Sequence, residues 1–169
     1  VARATKRFYS LQEHQAKSLM RNLGVTVQKG SDASTPEAAF KLASSLNGLL
    51  VLKAQVQAGG RGKGKLSSGL KGGVHLTDSA AEVRRLSEQM IGYNITTHQT
   101  PPQGVPVNSV LVLEAVDIDQ QLYLALLLDR AYGGPVFVAS KHGGVEIEET
   151  AKNDPSSIFV HPVPLGTEL

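Results

Sequence analysis

The sequence predicts an α+β fold, and three features of the 169-residue chain indicate it. Segments with apolar residues at helical spacing alternate with short apolar runs of strand length. Capping signals and glycines mark where the helices begin and end. The strands after Ser109 are joined by turns, one of them Tyr132-Gly133-Gly134-Pro135, which is typical of a hairpin. Hairpin-linked strands mixed with helices favour α+β architecture over a purely parallel sheet.

Three helices are predicted over 10–24, 35–48 and 79–92, because each range opens on a capping signal and closes on glycine. In the first, Ser10 and Glu13 have the spacing of a capping box, in which a hydroxyl and a carboxylate satisfy each other's free backbone N–H groups. The residues expected to face the core are Leu11, Leu19, Met20 and Leu23, then Ala39, Phe40 and Ala43, then Val83, Leu86, Met90 and Ile91.

Strands are predicted where apolar runs lie between turn signals. The expected ranges are 25–28, 49–54, 73–76, 109–116, 122–128, 135–140 and 145–147. A helical turn at 154–156 and an extended end at Pro162 and Pro164 are expected to follow. The Pro-rich connection at 96–106 is expected to separate two small α+β lobes within 10–169.

Composition excludes several classes of function. The chain has no Cys, which removes disulfides, thiol nucleophiles and thiolate metal sites. It has no Trp and only 5 % aromatic residues, so it lacks the stacking platforms of a single-strand nucleic-acid binder. The longest apolar runs, Leu49–Leu52 and Leu124–Leu128, are far shorter than the ~20 residues of a membrane-spanning helix. We therefore expect no nucleic acid partner and no membrane span. A zinc site is not expected either, because no histidine pair has the spacing of one.

The N-terminal arm, residues 1–9, carries Arg3, Lys6 and Arg7 and no acidic residue. This composition resembles the tail of a mitochondrial transit peptide. Arg7-Phe8-Tyr9-Ser10 also resembles a matrix-protease cleavage site, with Arg before the cut and Ser after it. We therefore expect a transit-peptide remnant and a location in the mitochondrial matrix. A merely flexible basic tail is the alternative.

The Gly-rich segment after the predicted strand 49–54 carries the strongest functional signal. No acidic residue occurs between Glu37 and Asp78, and residues 59–65 read GGRGKGK. Glycines let backbone N–H groups approach phosphate oxygens, and cations neutralise those oxygens. A Walker A loop would need Ser or Thr where Leu66 stands. The segment therefore predicts a phosphate-binding loop that is not a P-loop, and a flexible surface loop is the alternative.

Charged residues at predicted strands supply the other candidates. Lys53 lies in an otherwise apolar strand. Because side chains alternate along a strand, Lys53 should point to the opposite face of the sheet from Leu52. Because burying an unpartnered lysine is costly, an anionic ligand over the sheet would explain it; a strand-end lysine that reaches solvent is the alternative. Glu114 could accept hydrogen bonds from a ribose or a base amine, or could be a solvated strand end. The acidic segment 146–149 could bind a metal, although a solvated face is favoured.

Several long strings resemble the β subunit of succinyl-CoA synthetase. They are LQEHQAK at 11–17, LKAQVQAGGRGKG at 52–64, SGLKGGV at 68–74, QMIGYN at 89–94 and GGVEIEE at 143–149. Together they extend from about Ser10 to Phe159, nearly the whole chain. The resemblance implies the N-terminal portion of an ATP-grasp fold, an incomplete grasp in which two α+β lobes clamp a nucleotide.

The resemblance also implies a function, namely the nucleotide-binding part of a mitochondrial succinyl-CoA ligase. This family interconverts succinyl-CoA, phosphate and GDP or ADP with succinate, CoA and GTP or ATP. A phosphohistidine on a partner α subunit carries the phosphoryl group. Gln28, in the setting Val25-Thr26-Val27-Gln28, matches the GTP-type subunit, and Tyr93-Asn94 is closer to that type as well. We therefore favour GTP and GDP over ATP and ADP as the cofactors.

Matching positions imply a set of nucleotide-binding residues, none of which is expected to be catalytic. Lys53 would contact the phosphates, and the hinge at Glu114 and Val116 would meet the base. The full set is Gln28, Lys53, Gly60, Arg61, Gly62, Glu114 and Val116.

Two departures keep a second function open. Gln121 stands where the family usually has Glu. The family's Mg²⁺ ligands, an Asn and an Asp, and the domain that meets the α subunit lie beyond Leu169, so this chain alone is not expected to hold Mg²⁺ or complete the reaction. The alternative is a non-catalytic structural subunit, an ATP-grasp lobe recruited into a larger mitochondrial assembly.

Overall fold

The computed structural model describes residues 10–143, 147–164 and 166. The helices are α1 (Glu13–Asn22), α2 (Pro36–Ser45), α3 (Ala80–Met90) and α4 (Ile147–Asn153). The strands are β1 (Gly30–Ala33), β2 (Leu50–Ala54), β3 (Lys65–Leu66), β4 (Val74–Thr77), β5 (Asn94–Thr96), β6 (Val105–Pro106), β7 (Val110–Glu114), β8 (Tyr123–Asp129), β9 (Gly134–Ser140) and β10 (Ile158–Pro162). Helices and antiparallel strands are mixed, which confirms the predicted α+β class.

The chain divides into two compact units, Val1–Val116 and Asp117–Leu169. The expected division at 96–106 lies inside the first unit instead. It does so because β5 and β6 flank that connection as an antiparallel pair, with Ile95 opposite Val105. In the part of the chain that the structure describes, no helix is long and apolar enough to cross a membrane. The basic arm at 1–9 lies outside the described residues.

The first unit is built on a four-stranded antiparallel sheet in the order β1-β7-β2-β4. Its core face carries alternate residues of the two central strands, such as Leu52 opposite Val112. Helices α2 and α3 supply the other half of this core with Ala39, Val83 and Met90. A smaller sheet in the order β3-β5-β6 adds Leu66 and Ile95 to the same core.

The predicted caps of α2 and α3 are confirmed, but that of α1 is wrong. The N-cap of helix α1 lies two residues later than expected, at Gln12 instead of Ser10, and the backbone N–H of Gln12 donates to Gln15 Oε1 over 2.9 Å. Glu13 is thereby free of capping and forms ion pairs instead. The predicted apolar face of α1 is also wrong, since none of its ten residues is buried.

Two further local predictions are wrong, and a third lies mostly outside the described residues. Residues 25–28 form no strand, and the first strand is β1, which begins at Gly30. Phe40 is exposed, because the inward face of α2 is formed by Ala39 and Ala43. Of the predicted strand at 145–147, Ile147 begins α4, and the other two residues lie outside the described part.

The second unit is a three-stranded antiparallel sheet in the order β10-β9-β8. The predicted hairpin of β8 and β9 is confirmed, with Asp129 opposite Gly134 at its turn. The predicted extended end at Pro162 is confirmed, but its strand, β10, begins earlier, at Ile158, and does not include Pro164. The predicted helical turn is confirmed as the 3-10 turn Pro155–Ser157. Leucines of β8 remain exposed in this unit, among them Leu124 and Leu128.

Candidate functional site

The face of the four-stranded sheet opposite its core carries Lys53. Register places Lys53 across from Leu111 of β7 and Val74 of β4, while the preceding Leu52 points into the core. The Lys53 ammonium does not extend into open solvent. It donates to Glu13 Oε1 over 2.9 Å, and about a fifth of the side chain is exposed (21 %). Lys53 is therefore a half-buried cation with an anionic partner.

Arg61 brings the Gly-rich loop to the same carboxylate. It opens a 3-10 turn, Arg61–Lys63, and its Nη1 donates to the backbone oxygen of Ala54 over 2.9 Å, at the end of β2. Its Nη2 donates to the second oxygen of Glu13. The Arg61 backbone oxygen accepts from the N–H groups of Gly64 (3.0 Å) and Gly73 (2.7 Å). The Gly-rich loop is thus folded back onto the sheet, and both cations converge on one anion.

Glu13 is the centre of this cluster. Besides Lys53 and Arg61, Lys17 lies one helical turn further along α1, with Nζ 3.9 Å from Glu13 Oε1. Burial by itself would raise the pKa of Glu13, but the hydrogen bond and charge of Lys53, followed by those of Arg61, outweigh it and hold the pKa below its ordinary value. Burial has the reverse effect on a lysine: it lowers the pKa of Lys17, and the charge of Glu13 opposes that shift.

Two glycines of the loop differ in what they require. Gly60 has φ +72°, a left-handed conformation, and a Cβ there would lie 2.5 Å from His98 Cε1. Gly62 has no positive φ, and its nearest neighbour would be 4.0 Å away. Within residues 10–143, the backbone N–H groups of Arg61 and Gly62 donate no hydrogen bond to the protein. The turn therefore has backbone donors available to a ligand.

Gln28 and Glu114 lie together at the end of this cluster. The Gln28 amide Nε2 donates to the backbone oxygen of Glu114 over 3.2 Å, and Lys17 Nζ donates to Gln28 Oε1 over 3.1 Å. The Glu114 carboxylate is 4.0 Å from the exposed Lys29 ammonium. Val116, the last residue of the first unit, is exposed. Hydrogen bonds and ion pairs therefore connect Gln28 through Lys17 and Glu13 to Lys53 and Arg61.

Other sequence candidates are placed elsewhere. Gln121 belongs to the second unit, where its backbone oxygen accepts from the Gly143 N–H over 3.0 Å. Glu146 and the side chains of Glu148 and Glu149 lie outside the described residues. Among the residues that are described, no three His, Asp or Glu side chains form a metal site. The location of the Mg²⁺ ligands beyond this chain stays a prediction.

Sequence reasoning missed Glu13 and Lys17 as members of the site. The predicted capping box accounts for Glu13 locally. Lys17 appears only within the string at 11–17 that resembles the family. The available signal was their spacing of four residues, which places both on one face of a helix and permits an ion pair. Nothing in the sequence showed that this helix face meets Lys53.

Comparisons with known proteins identify the family of this chain. The family model described as "ATP-grasp domain" matches residues 10–169. The GDP-forming succinate–CoA ligase β subunits of mouse and human mitochondria are 54 % identical over 155 residues and 53 % identical over 156 residues. The ADP-forming mitochondrial β subunit of Dictyostelium discoideum is 46 % identical over 159 residues. These findings confirm the resemblance predicted from the sequence.

Coverage and structural likeness define what is shared. The alignments cover 91 %, 92 % and 94 % of this chain but 36 % of each of these relatives, so the chain spans about a third of their length. Among solved structures, the dinucleotide-forming acetyl-coenzyme A synthetase 1 of Ca. Korarchaeum cryptofilum has a TM-score of 0.61 at 23 % identity, covering 93 % of this chain and 61 % of the other. That likeness concerns the fold alone. With its core sheet, its Gly-rich loop and a family match over nearly its whole length, the chain belongs to the ATP-grasp domain family.

Proposed function

We propose that this chain is the nucleotide-binding part of the β subunit of a mitochondrial succinate–CoA ligase. The whole enzyme would convert succinyl-CoA, phosphate and GDP to succinate, CoA and GTP in the matrix, with ADP as the less favoured acceptor. A partner α subunit would carry the phosphoryl group on a histidine. The proposal is supported by the GDP-forming relatives at 54 % and 53 % identity.

The convergence of Lys53 and Arg61 on one carboxylate is the structural observation that carries this proposal. Two cations that can hold the two oxygens of Glu13 can hold phosphate oxygens in the same way. Phosphoryl transfer depends on such cationic positioning more than on covalent participation of the protein. Lys53 and Arg61 would bind and orient the phosphates, and the free N–H groups of Arg61 and Gly62 would add donors to them.

The base would lie at the other end of the cluster. Gln28 and the backbone of Glu114 are in contact there, and the exposed Val116 follows. Backbone and amide groups can read the edge of a base, whereas the phosphates require charge. The base would therefore bind at the Gln28 end of the cluster, and the phosphates would bind at the Lys53 end.

Lys53→Ala tests the phosphate role. In the full-length chain, titration calorimetry with Mg-GDP is expected to show binding weakened by about 1–3 kcal/mol, because a charge-assisted hydrogen bond to phosphate is lost. Lys41→Ala is the matched control, since Lys41 is an exposed lysine on α2, which covers the opposite face of the sheet. Unchanged affinity in Lys53→Ala would exclude the phosphate role. A wild-type chain that binds no nucleotide would instead favour a non-catalytic structural subunit.

A further inference from the structure

The side-chain amide of Gln28 is held at both of its ends. Lys17 Nζ donates to its oxygen over 3.1 Å, and its nitrogen donates to the backbone oxygen of Glu114 over 3.2 Å. A lysine ammonium has only donors, and a backbone carbonyl has only acceptors. Turning the amide over would place its NH₂ against the ammonium and its oxygen against the carbonyl. The two partners therefore allow a single orientation of the amide.

Lys17 is itself fixed in position. Its side chain is 19 % exposed, and its ammonium lies 3.9 Å from Glu13 Oε1, in an i,i+4 pair on α1. Arg21, one turn further along the helix, reaches only the backbone oxygen of Gln28, over 3.5 Å. Of these two cations, Lys17 alone contacts the side-chain amide. The orientation of Gln28 thus depends on a charged residue that need not touch the nucleotide.

We propose that Lys17 is a positioning residue that sets the base preference of the site by fixing the orientation of the Gln28 amide. This inference rests on the proposed function, which places the base beside Gln28. The amide nitrogen has two hydrogens, and Glu114 accepts one of them. With the oxygen turned toward Lys17, the amide offers its second N–H to the base.

A fixed donor discriminates between the two purines. Guanine presents an acceptor, O6, at the position where adenine presents a donor, the N6 amine. GDP can therefore accept from Gln28, whereas ADP would bring two donors together and leave them unpaired. Without Lys17, only the Glu114 carbonyl holds the amide in this orientation. The amide then turns over at a smaller cost and can accept from adenine, so the preference should fall.

The test measures affinities for Mg-GDP, Mg-ADP and Mg-IDP in the full-length β chain assembled with its α subunit. Wild type is expected to prefer GDP and IDP, since hypoxanthine keeps O6 but lacks the guanine 2-amino group. Lys17→Met should reduce the GDP-to-ADP and IDP-to-ADP preferences about tenfold, which is the effect of one unpaired donor in the site. Lys17→Gln, which can donate or accept, keeps a polar side chain and should reduce both preferences in the same direction. Arg21→Met is the matched control and should leave both ratios unchanged.

A double-mutant cycle separates positioning from a general effect of charge. In a Gln28→Ala background, Lys17→Met should leave the GDP-to-ADP ratio unchanged, because Lys17 has no amide left to orient. An equal loss of preference in both backgrounds would overturn the inference, as would an unchanged ratio in Lys17→Met and Lys17→Gln. Either result leaves the proposed function intact, provided that wild type binds nucleotide. A wild type that binds GDP and ADP equally overturns the role of Lys17 alone, and a wild type that binds neither overturns both proposals.

Discussion

The two faces of the four-stranded sheet come from the same strands but differ in chemistry, since the face opposite the core carries the Lys53 charge beside the buried Leu111 and Leu113. On one face, Leu52 and Val112 pack beneath α2 and α3 and are completely buried. On the other face, Lys53 follows Leu52 directly in sequence, and its charge is met by Glu13 of α1. Because successive side chains of a strand point to opposite faces, one residue step along β2 separates the hydrophobic core from the ionic cluster.

This difference assigns separate tasks to the two faces. Burial of apolar side chains on the core face supplies the stability of the first unit. The ionic face contributes less to stability, because a partly exposed ion pair offsets only part of its desolvation. It supplies instead a set of positioned cations, with Glu13 as their anion. Substitutions on the core face should therefore mainly lower the free energy of unfolding. Substitutions on the ionic face should mainly weaken nucleotide binding.

The largest expected effect is on the core face. Leu52→Ala should lower the free energy of unfolding by about 2–5 kcal/mol, because it leaves a cavity in a fully buried site. Urea denaturation of the full-length chain measures the change. Leu76→Ala is the matched control, since Leu76 lies on the neighbouring strand β4 and is mostly exposed; it should change stability by less than about 0.5 kcal/mol. Equal losses in the two variants would contradict the contrast between the faces.

The core face is the part of the molecule that the sequence predicts well. Leu50–Ala54 alternates in burial as a strand with one fully covered face should, and the caps at Thr35 and Ser79 are local signals that the structure keeps. Helix α1 is the opposite case. Its apolar residues have helical spacing, yet Leu19 and Leu23 are exposed in the structure. Periodicity shows that a helix is amphipathic but not what it packs against.

The next effect separates two glycines of the loop. Gly60→Ala should destabilise the chain by about 1–2 kcal/mol, because alanine is strained at φ +72°. Gly62→Ala is the matched control for stability, since no positive φ or close neighbour opposes a Cβ there. Thermal unfolding compares them. If Gly62→Ala keeps full stability but weakens Mg-GDP binding, phosphate approaches the Gly62 backbone closely; a stability loss as large as that of Gly60→Ala would contradict the assigned geometry.

The sequence predicted the ionic face only in part. Lys53 and Arg61 stood out because cations in an apolar strand and a Gly-rich loop are chemically unusual. The sequence did not identify Glu13 as their common partner, because Glu13 lies 40 residues before Lys53 and 48 before Arg61. A local explanation, the capping box, accounted for Glu13 without any long-range contact. Local motifs predict local structure, and an ion pair between distant segments needs the fold to place it.

The smallest expected effect concerns Glu13 itself and depends on pH. Glu13→Gln should lower the free energy of unfolding by roughly 1 kcal/mol at neutral pH, because it removes the shared partner of Lys53 and Arg61 from a site that solvent partly screens. The lowered pKa of Glu13 means that the folded protein binds its proton less readily than the unfolded chain does. Its contribution is therefore complete above about pH 4.3, the ordinary value of a glutamate, and is lost as the pH falls through the lowered pKa.

Urea denaturation from neutral pH down to about pH 3 should thus show wild type and Glu13→Gln converging in acid. Glu88→Gln is the matched control, because Glu88 forms an i,i+4 pair with Arg84 over 3.3 Å but is half-exposed; it should change stability by less than about 0.5 kcal/mol. A constant difference between wild type and Glu13→Gln at all pH values would mean that packing, not charge, makes Glu13 important. Convergence would mean that the anion on the ionic face is a true partner of both cations, and that phosphate must compete with it or share them.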